Sequence, residues 1–147
     1  MHRPRSGVCR AALTATLLLP LLLLLQAAAP PPSALVGIWY GKGQPDDPEM
    51  LYIDFFGADG SFLSEFRKYE GCNVVWQQVE SGTWSMSGDV QTIVKSAVNG
   101  MPASAQQQYV VEHASAGEIR ARHVGTGYLF VERRVERFEF PVCNVGV

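Results

Sequence analysis

Short segments of alternating apolar and polar residues, separated by turns rich in Gly and Asp, fill the chain between residues 37 and 135. Alternation with a period of two is typical of half-buried β-strands, and no strong helical periodicity follows residue 28. Eight such segments, nearly all joined as neighbouring hairpins, predict an all-β fold. We expect an eight-stranded antiparallel up-and-down β-barrel, with an open sandwich as the alternative.

The turns predict which side chains face the barrel interior, because loop length sets the register of a hairpin. Two or four loop residues at positions 57–60 place Phe55 opposite Phe62. A three-residue loop at 87–89 places Trp84 opposite Thr92, and loops at 115–117, with Gly117 left-handed, and 125–127 place His123 beside Tyr109 and Leu129. The predicted ligand-binding interior comprises Phe55, Phe62, Ser64, Phe66, Trp84, Met86, Thr92, Tyr109, His123 and Leu129. Leu51, Ile53, Val111 and Val131 would share that interior, and residues 97–105 read as the longest loop.

The N-terminus has the pattern of a secretory signal peptide. Three arginines precede an apolar run, and small residues near position 28 suit cleavage; an uncleaved membrane anchor is the alternative. We therefore divide the chain into a signal peptide (1–28), a Pro-rich lead-in (29–34) and a barrel domain (35–147), and expect a secreted or periplasmic protein without a stable membrane span after cleavage. All fourteen acidic residues lie in the mature part, which argues against a nucleic-acid partner.

Cysteine usage is consistent with export. Cys9 would leave with the signal peptide, so Cys72 and Cys143 form an even pair in an oxidising compartment, and we predict a disulfide between them. The alternative is two buried thiols. Neither cysteine has a CxxC neighbour or a His at a metal-ligand spacing, so no metal site is predicted.

The opening strand carries a resemblance to a known family. Gly37-Ile38-Trp39 matches the Gly-x-Trp signature of the lipocalin-like, or calycin, group, and the eight-strand count agrees with it. The resemblance implies that an Arg from the last strand or just after it packs on Trp39, and the candidates are Arg133, Arg134 and Arg137. Residues 37–43 also resemble the Gly-x-Trp-x-Gly-x-Gly opening of nitrobindin-like haem barrels, although the Tyr-Pro segment expected next is missing; His123 would be the haem contact.

No catalytic constellation emerges from the sequence. Glu132, Glu136 and Glu139 alternate with arginines as a charged rim, and nucleophile and phosphate-loop motifs are missing. We therefore expect a non-enzymatic barrel without a cofactor that binds a small apolar molecule such as a lipid. The alternatives are a cell-envelope protein-binding module with a filled interior, exposing Tyr128 and Phe130 to an unknown protein partner, and a haem-binding barrel.

Overall fold

The computed structural model describes residues 29–140. The predicted signal peptide and Cys143 lie outside the described residues. A single turn of 3-10 helix, Pro32–Ala34, precedes eight strands: β1 Gly37–Gln44, β2 Asp47–Phe56, β3 Ser61–Glu70, β4 Asn73–Ser87, β5 Val90–Val98, β6 Met101–Ala114, β7 Glu118–His123 and β8 Leu129–Val135.

The eight strands form a closed antiparallel barrel in sequence order. Each strand pairs with the next, and β1 pairs with β8 through Ile38 opposite Val135 and Gly41 opposite Glu132. The predicted up-and-down barrel is confirmed, and the open sandwich is wrong. Because the sheet closes on itself, the described chain leaves no unpaired strand edge.

Trp39 plugs one end of the barrel. Its side chain is fully buried, and its Nε1 donates a hydrogen bond to the Leu35 carbonyl at 2.7 Å. Of the three candidate arginines, Arg134 packs on the ring, with its guanidinium carbon 4.1 Å from the ring centroid. The same guanidinium donates to the carbonyls of Val36 and Ala34 at 2.8 and 3.1 Å, so it also anchors the entry to β1.

An apolar core fills this closed end above the plug. It is built from inward-facing side chains of all strands except β8, together with the N-terminal turn: Leu35, Trp39, Phe56, Phe62, Trp84, Ile93, Val111, Ile119 and Ala121. The hairpin turns at the opposite end leave the barrel open. The chain therefore places its apolar bulk at one end and its polar interior residues at the other.

The β2–β3 hairpin differs from the prediction by one residue. Gly57 donates to the Ser61 carbonyl, and Gly60 has a positive φ of 83°, which makes a three-residue loop with a glycine bulge. Phe56, not Phe55, therefore lies opposite Phe62. A shift of one residue moves every side chain to the other face. The inward placement of Phe55, Leu51 and Ile53 was wrong; Tyr52, Asp54 and Phe56 face inward instead.

Two further hairpins contain the same kind of error. The β4–β5 loop has two residues, Gly88 and Asp89, so Trp84 lies opposite Ile93 and Thr92 faces outward. The β7–β8 loop spans 124–127, because the His123 amide donates to the Tyr128 carbonyl. Leu129 then pairs with Arg122 and faces outward with Val131, and the inward positions of β8 pass to Phe130 and Glu132.

The predicted long loop at 97–105 is a tight hairpin. Asn99 and Gly100 connect β5 to β6 with positive φ angles of 50° and 75°, the conformation of a type I′ turn. In the next hairpin, Gly117 does not have a positive φ, contrary to the prediction. The predicted pairing of Tyr109 with His123 is nevertheless confirmed, since the register shifts only after Val111.

Candidate functional site

A cavity of about 300 Å³ occupies the open part of the barrel. Its floor is formed by side chains that belong to the apolar core, Phe56, Phe62 and Ile93 among them. Its mouth lies between the β1–β2 turn at Pro45 and the β7–β8 loop at Thr126. The apolar core at the closed end and the cavity at the open end are therefore in direct contact.

Half of the predicted interior set lines this cavity, and the other half does not. Phe62, Ser64, Phe66, Tyr109 and His123 face the cavity. Trp84 and Met86 lie in or against the core beneath it, where the Trp84 Nε1 donates to the Gly57 carbonyl at 2.9 Å. Phe55, Thr92 and Leu129 lie on the outer face for the register reasons given above.

Sequence reasoning missed the polar residues of the cavity wall. Asp54, Glu80, Gln91 and Glu132 are at most 8% exposed, and Lys95 faces the same space. Glu132 was predicted to lie on a charged rim, and this was wrong because the β7–β8 loop is longer than expected. The missing signal was the Asp59-Gly60 pair, since a glycine bulge there puts Asp54 inside beside Ser64.

Three neighbouring strands present a row of polar side chains. Ser64 lies opposite both Asp54 on β2 and Glu80 on β4, so the three side chains point into the barrel side by side. The Ser64 hydroxyl donates to the Asp54 carboxylate. Lys95 Nζ lies 2.6 Å from the Glu80 carboxylate, and both side chains are largely buried. The Glu80 charge is therefore balanced within the wall, whereas Asp54 has a neutral partner.

Glu132 completes the acidic wall from the side of β8. It lies opposite Gly41 on β1, and Gly41 in turn lies opposite Tyr52 on β2. A Cβ atom at residue 41 would overlap the Tyr52 ring, so this glycine lets the ring lie across β1. Within residues 29–140, Glu132 Oε2 and the Tyr52 hydroxyl have no hydrogen-bond partner.

The buried carboxyls hold their protons more tightly than exposed ones. Burial is the main cause that raises the pKa of Asp54 to about 7, while the Ser64 hydrogen bond opposes the rise. The Glu80 charge raises this pKa further, and Lys95 lowers it. Burial, and then the Asp54 charge, raise the pKa of Glu132 well above its ordinary value. A positive charge that enters the cavity would therefore lower both pKa values.

Aromatic rings form the rest of the wall. Tyr52 and Tyr109 each meet Phe130 edge to face, with ring centroids 6.0 and 5.7 Å apart. Phe66 lies 5.9 Å from Tyr52, and the His123 ring lies 5.1 Å from Tyr109. These contacts run from β3 through β2 and β8 to β6 and β7. The cavity wall therefore combines a belt of aromatic rings with two carboxyl groups, Asp54 and Glu132, that form no ion pair in the described residues.

His123 is oriented by the loop at the mouth. The Thr126 backbone amide donates to Nδ1 at 3.0 Å, so a neutral imidazole carries its proton on Nε2. A metal-ligating histidine normally donates from the nitrogen that does not bind the metal. The contact does not favour the haem alternative. Among residues 29–140, no group of three or more His, Cys, Asp or Glu side chains is arranged to hold a metal ion.

The C-terminal segment after β8 touches the outside of the barrel. Arg67 on β3 lies over the Phe140 ring, 4.3 Å from its centroid. This contact brings Phe140 near β3, the strand that precedes Cys72. The proposed partner, Cys143, lies beyond the described residues, so the disulfide stays a prediction. None of the helices in the described range is long and apolar enough to span a membrane.

Comparison with known proteins finds similarity among solved structures only. No protein-family model matches the sequence, and no curated protein matches it. A solved lipocalin-like protein from Bacteroides uniformis ATCC 8492 is similar, with 18% sequence identity and a TM-score of 0.48. The alignment covers 69% of this chain and 99% of that chain. The barrel itself, closed in sequence order around an aromatic plug, establishes that the fold is lipocalin-like.

Proposed function

We propose that this protein is a non-enzymatic carrier of a small molecule that has an apolar body and at least one hydrogen-bonding group. The observation that carries the proposal is the cavity of about 300 Å³, at the lower end of the volume range of small-molecule pockets. The aromatic belt suits an apolar body, whereas Tyr52 and Glu132 offer polar atoms that need a partner. A purely apolar lipid, as expected from the sequence, would pack against the aromatic belt but would leave the polar atoms of Tyr52 and Glu132 without a partner.

A protein-binding module of the cell envelope is the second candidate. Val74 and Val75 on β4 are 44% and 47% exposed, next to Trp76, which is 42% exposed and lines the cavity. Two observations favour the carrier over this module. Phe130, expected on the outer face, lies inside the barrel, and the interior is not filled.

We propose export to the periplasm or the extracellular space as part of the same function. The N-terminal pattern of basic, apolar and small residues supports it. Native mass spectrometry of the protein purified from its own compartment tests export and cargo together. We expect the mass of a chain lacking roughly its first 28 residues, with an adduct that denaturation releases.

Binding at the cavity is tested with a neutral aromatic reporter, 1-aminoanthracene, whose fluorescence rises in apolar surroundings. Gln107 lines the cavity, whereas the adjacent Gln106 is exposed on the outer face. We expect Gln107→Trp to weaken reporter binding and Gln106→Trp to leave it unchanged. Equal reporter affinity in the two variants, or an uncleaved and adduct-free chain that binds no reporter, would refute the carrier.

A further inference from the structure

Two buried carboxyl groups in the cavity have no cationic side chain as a partner within residues 29–140. In the described part of the chain, Lys95 pairs with Glu80, and neither Asp54 nor Glu132 forms an ion pair. The two carboxyl groups line the same cavity, and the negative charge of Asp54 contributes to the raised pKa of Glu132. The titratable groups that face this space from all sides are Tyr52, Asp54, Glu80, Lys95, Tyr109, His123 and Glu132.

Unpartnered polar atoms lie in the same place. Glu132 is 6% exposed and Tyr52 is 1% exposed, yet Glu132 Oε2 and the Tyr52 hydroxyl lack hydrogen-bond partners among residues 29–140. Gln91 also lines the cavity, and its Nε2 likewise lacks a hydrogen-bond partner among the described residues. A buried polar atom without a partner is costly. These atoms are therefore expected to find their partner on a ligand.

We propose that the cargo is an organic cation, a protonated amine on an apolar or aromatic body, held with its ammonium group between Asp54 and Glu132. The inference rests on the proposed carrier function and names its ligand class. The body would lie against the rings of Tyr52, Tyr109 and Phe130, above the floor formed by Phe56 and Phe62.

Charge distinguishes a cation from the other ligand classes. An ammonium group satisfies a buried carboxylate through a charge-assisted hydrogen bond and is attracted by aromatic ring faces. An anion such as a fatty acid would meet Asp54 and Glu132, while Lys95, which lines the same cavity, is already paired with Glu80. A neutral alcohol fills the same space without neutralising either acid. The wall thus favours cations over neutral molecules, and neutral molecules over anions.

Proton release follows from the same arrangement. Burial raises the pKa of Asp54 to about 7, so at neutral pH this carboxyl is partly protonated. Burial also raises the pKa of Glu132 above its ordinary value. A bound cation favours the ionised form and lowers both pKa values. Binding must then expel protons, and the affinity for the amine rises with pH until the carboxyls are ionised. A neutral ligand has no such linkage.

The charge series tryptamine, tryptophol and indole-3-acetate tests the proposal, since the three share one body and differ in the head group. Isothermal titration calorimetry of the full mature chain should show tryptamine binding about tenfold or more tightly than tryptophol, with indole-3-acetate weakest. Tryptamine affinity should rise between about pH 5 and pH 8, and titrations in buffers of different ionisation enthalpy should report proton release. Tryptophol affinity should stay flat.

Variants locate the head group. Asp54→Asn and Glu132→Gln should each weaken tryptamine by about tenfold and reduce proton release, with little change for tryptophol. Glu112→Gln, which alters an exposed carboxylate paired with Arg122, should change neither ligand. If either buried variant fails to fold, the pH profile and the ligand series on the unmodified chain decide the matter.

The outcomes separate this inference from the carrier function. If tryptophol binds as tightly as tryptamine, and Gln107→Trp weakens both, the proposed cationic ligand class is refuted and the carrier function is supported. If the protein binds 1-aminoanthracene but none of the three indole ligands, the proposed cationic ligand class is also refuted. Loss of all binding, reporter included, overturns both proposals.

Discussion

Replacing Asp54 with Asn should stabilise the ligand-free protein above neutral pH. An unfolded Asp has a pKa of about 3.9, whereas burial raises the folded value to about 7. Each pKa difference of 1 corresponds to about 1.36 kcal/mol, so ionising Asp54 costs the folded state about 4 kcal/mol at high pH. Asn retains an oxygen that accepts the Ser64 hydroxyl, and it carries no charge.

The sign of the pH dependence follows from proton binding. Between about pH 4 and pH 7 the folded state binds more protons at Asp54 than the unfolded state, so the Asp54 contribution to stability falls as pH rises. This contribution is fully present below about pH 4 and lost above about pH 7. Asp54→Asn should therefore equal the unmodified protein near pH 4 and exceed it by up to about 4 kcal/mol near pH 8.

Urea unfolding monitored by tryptophan fluorescence measures both proteins across this pH range. Asp59→Asn provides a matched control with the opposite sign, because Ser61 donates two hydrogen bonds to the Asp59 carboxylate and lowers its pKa. That variant should lose stability above the pKa of the unfolded residue. A pH-independent difference, or a less stable Asp54→Asn protein near pH 8, would refute the reasoning.

Three further substitutions test the scaffold. Trp39→Ala should cost about 3–5 kcal/mol in urea unfolding, as expected for a fully buried ring, and a loss below about 1 kcal/mol would mean that the ring closes nothing. Arg134→Ala should cost about 1–2 kcal/mol through the lost ring contact and hydrogen bonds, whereas the exposed Arg133→Ala should stay within about 0.5 kcal/mol; equal losses would contradict the role of Arg134. Cys72→Ser should destabilise the oxidised protein by up to about 4 kcal/mol and leave the reduced one unchanged, while equal stability in both states would remove the predicted disulfide.

Strand identity and barrel closure could be predicted from the sequence because alternation and turn residues extend over the whole domain. The resemblance to the Gly-x-Trp signature predicted that an arginine packs on Trp39, and Arg134 does so. Sequence alone did not distinguish Arg134 from Arg133, because choosing between them requires the β1–β8 register.

The inward face was harder to predict because it depends on single-residue loop lengths. One residue more or less in a turn exchanged Phe55 for Phe56, Thr92 for Ile93, and Leu129 for Phe130. The acidic wall was missed through the same errors, since Asp54 and Glu132 then appear to face water. Tyr109 was placed correctly opposite His123, because a bulge between Val111 and His113 offsets the one-residue error in the predicted β6–β7 loop.

The short turns at the open end bear on the kinetics of exchange. Three of the four connections there have two residues each, 45–46, 71–72 and 99–100, and the fourth spans 124–127. Connections of this length are too short to fold over the mouth as a lid. Entry should then be limited by diffusion and orientation, and differences among ligands should appear in how slowly each one leaves. If the proposed carrier function is right, loading is fast and retention depends on the contacts that the cavity wall makes with the ligand.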